Sequence, residues 1–265
     1  MGRRRSRRRR FLKSLEEVGK RALIRAAGVV AGGERLASAP DWGARRYRVL
    51  YLRYDRIGDM ILATSLIRAI AESHRTIALD VLASPSNARV LEGNPHVRAV
   101  IEWDRKQVAS WPALVRRLRA ARYDVVIDPM ILKPSATSMM LLAASGAPIR
   151  IGIGGRISDP LITLPVSPTG GERSHHVDFS AALATAFGVD ALATDWRPEI
   201  FLTPAEREGA QRQWREAAAT RAGVELRPRR VLVNISAGRE ERAWPAERYA
   251  AVIDHLRRRG GGGGT

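Results

Sequence analysis

Arg48-Val49-Leu50-Tyr51-Leu52-Arg53-Tyr54-Asp55-Arg56-Ile57-Gly58-Asp59-Met60 joins an apolar run (48–52) to a short polar turn and an apolar-periodic helix (60–70). A strand that feeds a turn opening a helix is where α/β sheets bind ligands. The helix start offers free backbone N–H groups, and the strand ends open into a crevice. Two carboxylates, Asp55 and Asp59, stand in this turn. Negative charge beside a phosphate is repulsive, and the turn lacks the repeated glycines of a P-loop or a dinucleotide fingerprint. It reads better as a place that handles a hydroxyl. The plainer reading makes Asp59 the N-cap of the helix that follows. Both roles can coexist, because a capping carboxylate keeps a second oxygen.

Outward from this turn, apolar runs alternate with helical patterns. Residues 77–83, 99–101, 125–129, 150–153 and 161–166 read as strands. Residues 60–72, 86–92, 111–121, 135–144 and 175–187 have helical spacing. Such alternation implies an α/β fold with a mainly parallel sheet covered on both faces. A polar helix over 204–222 reads as a connector, and a second strand–loop–helix unit follows, with its strand at 230–235 and its helix at 246–259. One strand and one helix cannot bury a core. The expectation is therefore a second domain cut off after its first βα unit, with the glycine run 260–264 as a low-complexity end.

The 265 residues are 45% apolar, enough for two modest cores. Cysteine is absent, which rules out disulfides and thiolate metal sites. No run approaches the length of a spanning helix. The net charge of +18 is concentrated: residues 1–40 hold twelve Lys/Arg against three Glu, and the first ten residues hold seven arginines. Phe11, Leu12, Leu15, Val18, Ala22 and Leu23 fall on one helical side, opposite Lys13, Glu16, Glu17, Lys20, Arg21 and Arg25. Ile24 is the one violator of this pattern, and a basic amphipathic helix of this kind after the arginine-rich arm lets residues 1–25 lie on an anionic membrane surface. A disordered arm or a helix docked on its own domain is the alternative. Nucleic acid ranks lower, because no aromatic residues interleave the arginines. Charged residues interrupt the apolar region that an export signal needs, and Glu16-Glu17 argues against a mitochondrial presequence.

Four segments, in this order, resemble glycosyltransferase family 9, the ADP-heptose:lipopolysaccharide heptosyltransferases. They are Val49 through Asp59, Tyr123-Asp124-Val125-Val126-Ile127-Asp128, His175-His176-Val177-Asp178, and Asn234-Ile235-Ser236-Ala237-Gly238 with Arg242-Ala243-Trp244-Pro245-Ala246-Glu247-Arg248-Tyr249. The resemblance covers 47–259 and implies a GT-B fold, two Rossmann-like domains facing across a cleft. Residues 1–40 would be the arm, 47–204 the acceptor-side domain, 205–227 the connector and 228–265 the start of the donor domain. It also implies inverting sugar transfer with neither metal nor cofactor, the nucleotide sugar (ADP-heptose by default) serving as substrate. The five histidines offer one adjacent pair, His175-His176, without metal-ligand spacing. An ordinary helix start is the plain reading of that pair.

Inverting transfer needs a base to take the proton of the attacking hydroxyl. By the resemblance, Asp59 is that base. The like charge of Asp55 would raise one of the two carboxyl pKa values, which suits a base. Asp55, Arg56, Gly58 and Lys133 are the acceptor-side candidates, with Arg150 considered beside them for the acidic groups of a glycolipid. Ser236, Gly238 and Arg242 are candidates for the donor diphosphate. Arg242 stands one position before the residue that precedes Trp244-Pro245, where the family often has lysine, and an arginine fork has a different reach. The family's later donor motifs have no counterpart before Thr265, so transfer by this chain is expected to be impaired. The implied location is cytoplasmic, peripheral on the inner face of the inner membrane. The competing reading is a non-catalytic peripheral anion-binding module that keeps the acceptor fold.

Overall fold

A computed structural model describes residues 28, 32–129, 136–154, 159–168, 175–219, 231–237 and 240–260. The arm over 1–25, Lys133 and Gly238 lie outside these residues. The chain divides into two compact units, Met1–Pro204 and Ala205–Thr265.

The first unit is built on six parallel strands: β1 (Tyr47–Arg53), β2 (Ile77–Ala83), β3 (Ala99–Glu102), β4 (Val125–Asp128), β5 (Ile149–Ile153) and β6 (Leu164–Val166). Their order across the sheet is β3-β2-β1-β4-β5-β6. The order reverses between β1 and β4, so the crevice beyond their carboxyl ends is the topological switch point of the sheet. β1 is buried almost throughout because both of its faces are covered. Val49 and Tyr51 face one core, with Met60, Leu66, Ile67 and Ile70 of α1 (Ile57–Ser73) and Phe179 and Leu183 of α4 (His176–Thr185). Leu50 and Leu52 face the other, with Leu114 and Leu118 of α2 (Trp111–Ala121) and Met139, Leu141 and Leu142 of α3 (Ala136–Ser145).

The pattern over 86–92 yields only a single 3-10 turn, Ala88–Leu91, rather than an α-helix. Asn87 explains it. Its buried side chain accepts from the Ser84 N–H (2.8 Å) and donates to the Arg53 carbonyl (3.0 Å). Those bonds tie the turn to the end of β1, and Gly93 at φ +69° then turns the chain away.

The second unit contains α5 (Pro204–Ala219) and α6 (Ala246–Gly260). The strand expected at 230–235 does not form among its described residues: 231–237 carry no ladder, and Val231, Leu232 and Ile235 are 53%, 86% and 66% exposed. A strand is stable only beside another strand, and among the described residues none pairs with this segment. The ring of Trp244 meets Tyr249 edge-on at 5.0 Å, and the Pro245 carbonyl accepts from the Arg248 N–H. That pair shapes the start of α6.

Candidate functional site

The turn between β1 and α1 lies at the switch point, and its polar residues form one electrostatic group. Arg53 ends β1 with its side chain buried, 4% exposed. It donates through Nη1 to Asp55 Oδ2 at 3.0 Å. Burial alone pulls the guanidinium down, but the facing groups Tyr51, Asp55 and Asp59 more than offset this and hold it above its ordinary value. Burial pushes the Tyr51 phenol up, so it is a neutral hydroxyl at neutral pH. Two buried atoms at this spot have no hydrogen-bond partner: Nε of Arg53 and Oδ1 of Asp55. Such atoms are costly unless a ligand or water completes them.

The N-cap of α1 is Arg56, not Asp59, and its side chain makes no capping bond. The first bond of the helix runs from the Met60 N–H to the Arg56 carbonyl. The N–H groups of Ile57, Gly58 and Asp59 are thus the orphan donors of the first turn. Asp59 stands in that turn, half-buried, where a carboxylate also complements the helix dipole. Asp59 is therefore free of capping duty. Arg56 and Gly58 are exposed, and a Cβ built on Gly58 would meet no atom within 4 Å. That space is open to an incoming group.

The adjacent histidines at the start of α4 split their duties. His175 is the N-cap: its Nδ1 accepts from the Val177 N–H (3.4 Å), while Asp178 accepts from the His175 N–H (2.7 Å). His176, one residue on, is half-buried and within electrostatic range of Arg53, Asp59 and Asp55. Burial, then the Arg53 cation and His175, hold it below the ordinary imidazole value, with Asp59 and Asp55 opposing. The plain helix-start reading of the pair thus fits His175 alone.

The sign of the pH effect follows. The fold favours neutral His176, so below the ordinary value of 6.5 the unfolded chain binds the proton more readily. This contribution to stability is complete above 6.5 and is lost as pH falls toward the lower folded value. His176→Gln should therefore reduce the drop in urea midpoint between about pH 7.5 and about pH 5.5. An unchanged drop would remove His176 from the titrating group.

Among the other expected residues, Arg150 is placed by the fold far from any ligand role. It is 2% exposed, and its guanidinium donates to the carbonyls of Leu161 (2.6 Å), Ala147 (2.8 Å) and Gly32. Those bonds fasten main chain, and burial lowers its pKa. In the second unit, Ser236 is exposed, and both its N–H (2.9 Å) and its hydroxyl (2.7 Å) donate to Asn234 Oδ1. Arg242 is exposed at the end of a 3-10 turn, Glu240–Arg242.

Arg53 and His176 are the members that the sequence reading leaves out. Arg53 had a signal: it is a charge at the end of a strand covered on both faces. Among the described residues, no three His, Asp or Glu side chains converge in a way that would hold a metal ion.

The model of glycosyltransferase family 9 (heptosyltransferase) matches residues 111–261. Among solved structures, a family 9 glycosyl transferase from Veillonella parvula is 21% identical with a TM-score of 0.63, covering 86% of this chain and 63% of its own. The E. coli ADP-heptose lps heptosyltransferase II is 21% identical with a TM-score of 0.56, covering 80% and 62%. The E. coli heptosyltransferase WaaC, in a structure with ADP, is 17% identical with a TM-score of 0.52, covering 79% and 63%. The chain thus spans a little under two thirds of the length of these neighbours. No curated protein matches it.

Proposed function

Because the chain belongs to glycosyltransferase family 9, we propose that it takes part in metal-independent, inverting transfer of a sugar from a nucleotide sugar, ADP-heptose by default, to a hydroxyl of an anionic lipopolysaccharide-type glycolipid. The observation that carries this reading is the β1–α1 turn. It places an uncapping carboxylate, three orphan N–H groups and a buried cation at the switch point of a parallel sheet. Neighbours of the same fold are described with ADP and with ADP-2-deoxy-2-fluoro heptose, which supports a nucleotide-sugar donor.

In this reading Asp59 is the general base. It accepts the proton of the acceptor hydroxyl as that oxygen attacks the anomeric carbon, and the nucleotide diphosphate leaves. Arg53 positions both carboxylates and stops them from repelling each other. Asp55, Arg56, Gly58 and Lys133 are the residues assigned to the acceptor. Ser236, Gly238 and Arg242 serve the departing diphosphate, whose developing charge needs N–H or cationic donors. No helix among the described residues is long and apolar enough to cross a membrane. Attachment to the inner face of the inner membrane would rest on the basic arm over 1–25.

The test is ADP release from ADP-heptose with and without a heptose-deficient glycolipid core, together with mass analysis of the glycolipid. Release that depends on acceptor, with the mass gain of one heptose, is expected. Release that ignores the acceptor would contradict the proposal. Gly58→Ala sharpens it. The added methyl enters open space on a helix and should stabilise the chain by about 0.5 kcal/mol. If the acceptor approaches this turn, the same methyl raises its KM about tenfold. An unchanged KM would move the acceptor elsewhere.

A further inference from the structure

The carboxyl ends of the strands carry the proposed transfer site, and the opposite end of the sheet carries a different feature. A cavity of about 560 Å³ opens there, lined by Arg46, Arg48, Arg75 and Arg98 with Asp124. Its floor is the start of β1 (Tyr47, Arg48) and of β2 (Ile77, Ala78), with Thr76 beside them. Four arginines around one small space repel one another unless an anion sits among them.

The carboxylates nearby are already engaged. Asp124 accepts from Arg45 Nη1 (2.8 Å) and from the Arg48 backbone N–H (2.8 Å). Asp80 is buried behind Arg98, which it holds with both oxygens, and it also accepts from the Tyr123 hydroxyl (2.6 Å). The Arg98 side chain remains 45% exposed on its outer side.

The remaining three arginines have no carboxylate partner among the described residues. Arg46 and Arg75 are exposed with no side-chain bond to an acid. Arg48 lies with its guanidinium 5.8 Å from the Tyr123 ring centre, and its Nε is buried with no hydrogen-bond partner. A buried guanidinium N–H left without an acceptor is costly, and an acceptor in the cavity would satisfy it. The wall has an excess of donors and of positive charge, and its one facing acid is already occupied.

We propose that this cavity is a binding site for a phosphoryl group, separate from the transfer site. Tetrahedral phosphate oxygens offer several acceptors to converging guanidinium forks, and its two negative charges match a wall with more than one unpaired arginine. A single carboxylate would leave most of these donors unused. The group can come from a soluble phosphate compound or from a phospholipid headgroup.

The experiment titrates the whole chain with pyrophosphate by calorimetry. Three proteins are compared: the wild type, Arg46→Ala/Arg75→Ala, and Arg116→Ala/Arg117→Ala, which removes two exposed arginines from α2. Arg46 and Arg75 are exposed, so the first variant should fold as the wild type does. Binding about tenfold weaker in Arg46→Ala/Arg75→Ala, and unchanged in the α2 variant, is expected. No pyrophosphate binding by the wild type, or equal weakening in both variants, would overturn the proposal, the latter by revealing general charge attraction. Vesicles of phosphatidylcholine with phosphatidic acid then identify the source. Capture that pyrophosphate displaces and that Arg46→Ala/Arg75→Ala loses supports the headgroup. Capture equal in both proteins, with pyrophosphate binding still lost in the variant, supports the soluble compound.

Discussion

The Asp59→Asn variant should transfer sugar about 10²- to 10⁴-fold more slowly than the wild type, with KM for donor and acceptor little changed. The amide keeps the size and the hydrogen-bonding reach of the carboxylate but cannot accept the proton. The folding cost should be small, because Arg56 is the N-cap and Asp59 makes no capping bond to lose. What goes is a carboxylate in the first turn, worth a few tenths of a kcal/mol at a partly exposed position, roughly 0.3–1 kcal/mol at most. Slow turnover with a nearly unchanged urea midpoint therefore assigns the loss to chemistry. If turnover stays within twofold, the base is another group, and Asp55, with its unpartnered Oδ1, is the next candidate.

Replacing Arg53 should have the largest effect on stability. Arg53→Met removes the cation that Asp55 faces and the charge that offsets Asp59. Breaking a buried pair from one side costs about 3–5 kcal/mol. Asp55 is 22% exposed and regains some solvation, so about 3 kcal/mol is expected. The companion change separates the pair from mere packing. Arg53→Met/Asp55→Asn leaves no orphan carboxylate at this spot, and should recover about 1 kcal/mol or more relative to the sum of the two single changes. Equal additive losses would mean that Arg53 contributes through packing alone. Urea midpoints at constant slope are the readout.

The sheet and its two cores follow from patterns that a sequence states openly. Runs such as Val49–Leu52 are apolar on consecutive positions, and only a strand covered on both faces buries all of them. The turn that follows is equally visible, as a short polar stretch between an apolar run and a helical pattern, and the structure has it at the carboxyl end of β1. What the pattern leaves out is which charges turn inward. Arg53 and Arg150 are both arginines at strand positions, yet one faces the turn's carboxylates and the other fastens main-chain carbonyls. That difference comes from neighbours distant in sequence. His176 is hidden for the same reason: α4 packs beside α1, which brings the second histidine of an ordinary helix start to Asp59. Local apolar runs also mislead where no partner pairs with them, since 231–235 has strand composition but no adjacent strand among the described residues.

On the donor side, Ser236 and Arg242 are both exposed, with Ser236 folded onto Asn234.

The most direct test of the account is the pH dependence of kcat/KM for sugar transfer, measured side by side for the wild type and Asp59→Asn. If Asp59 is the base, the wild-type rate falls on the acid side and the variant shows a low rate without that acid limb. A variant that keeps both the wild-type rate and the same acid limb would contradict the assignment and the reading of the β1–α1 turn as the place where the acceptor hydroxyl loses its proton.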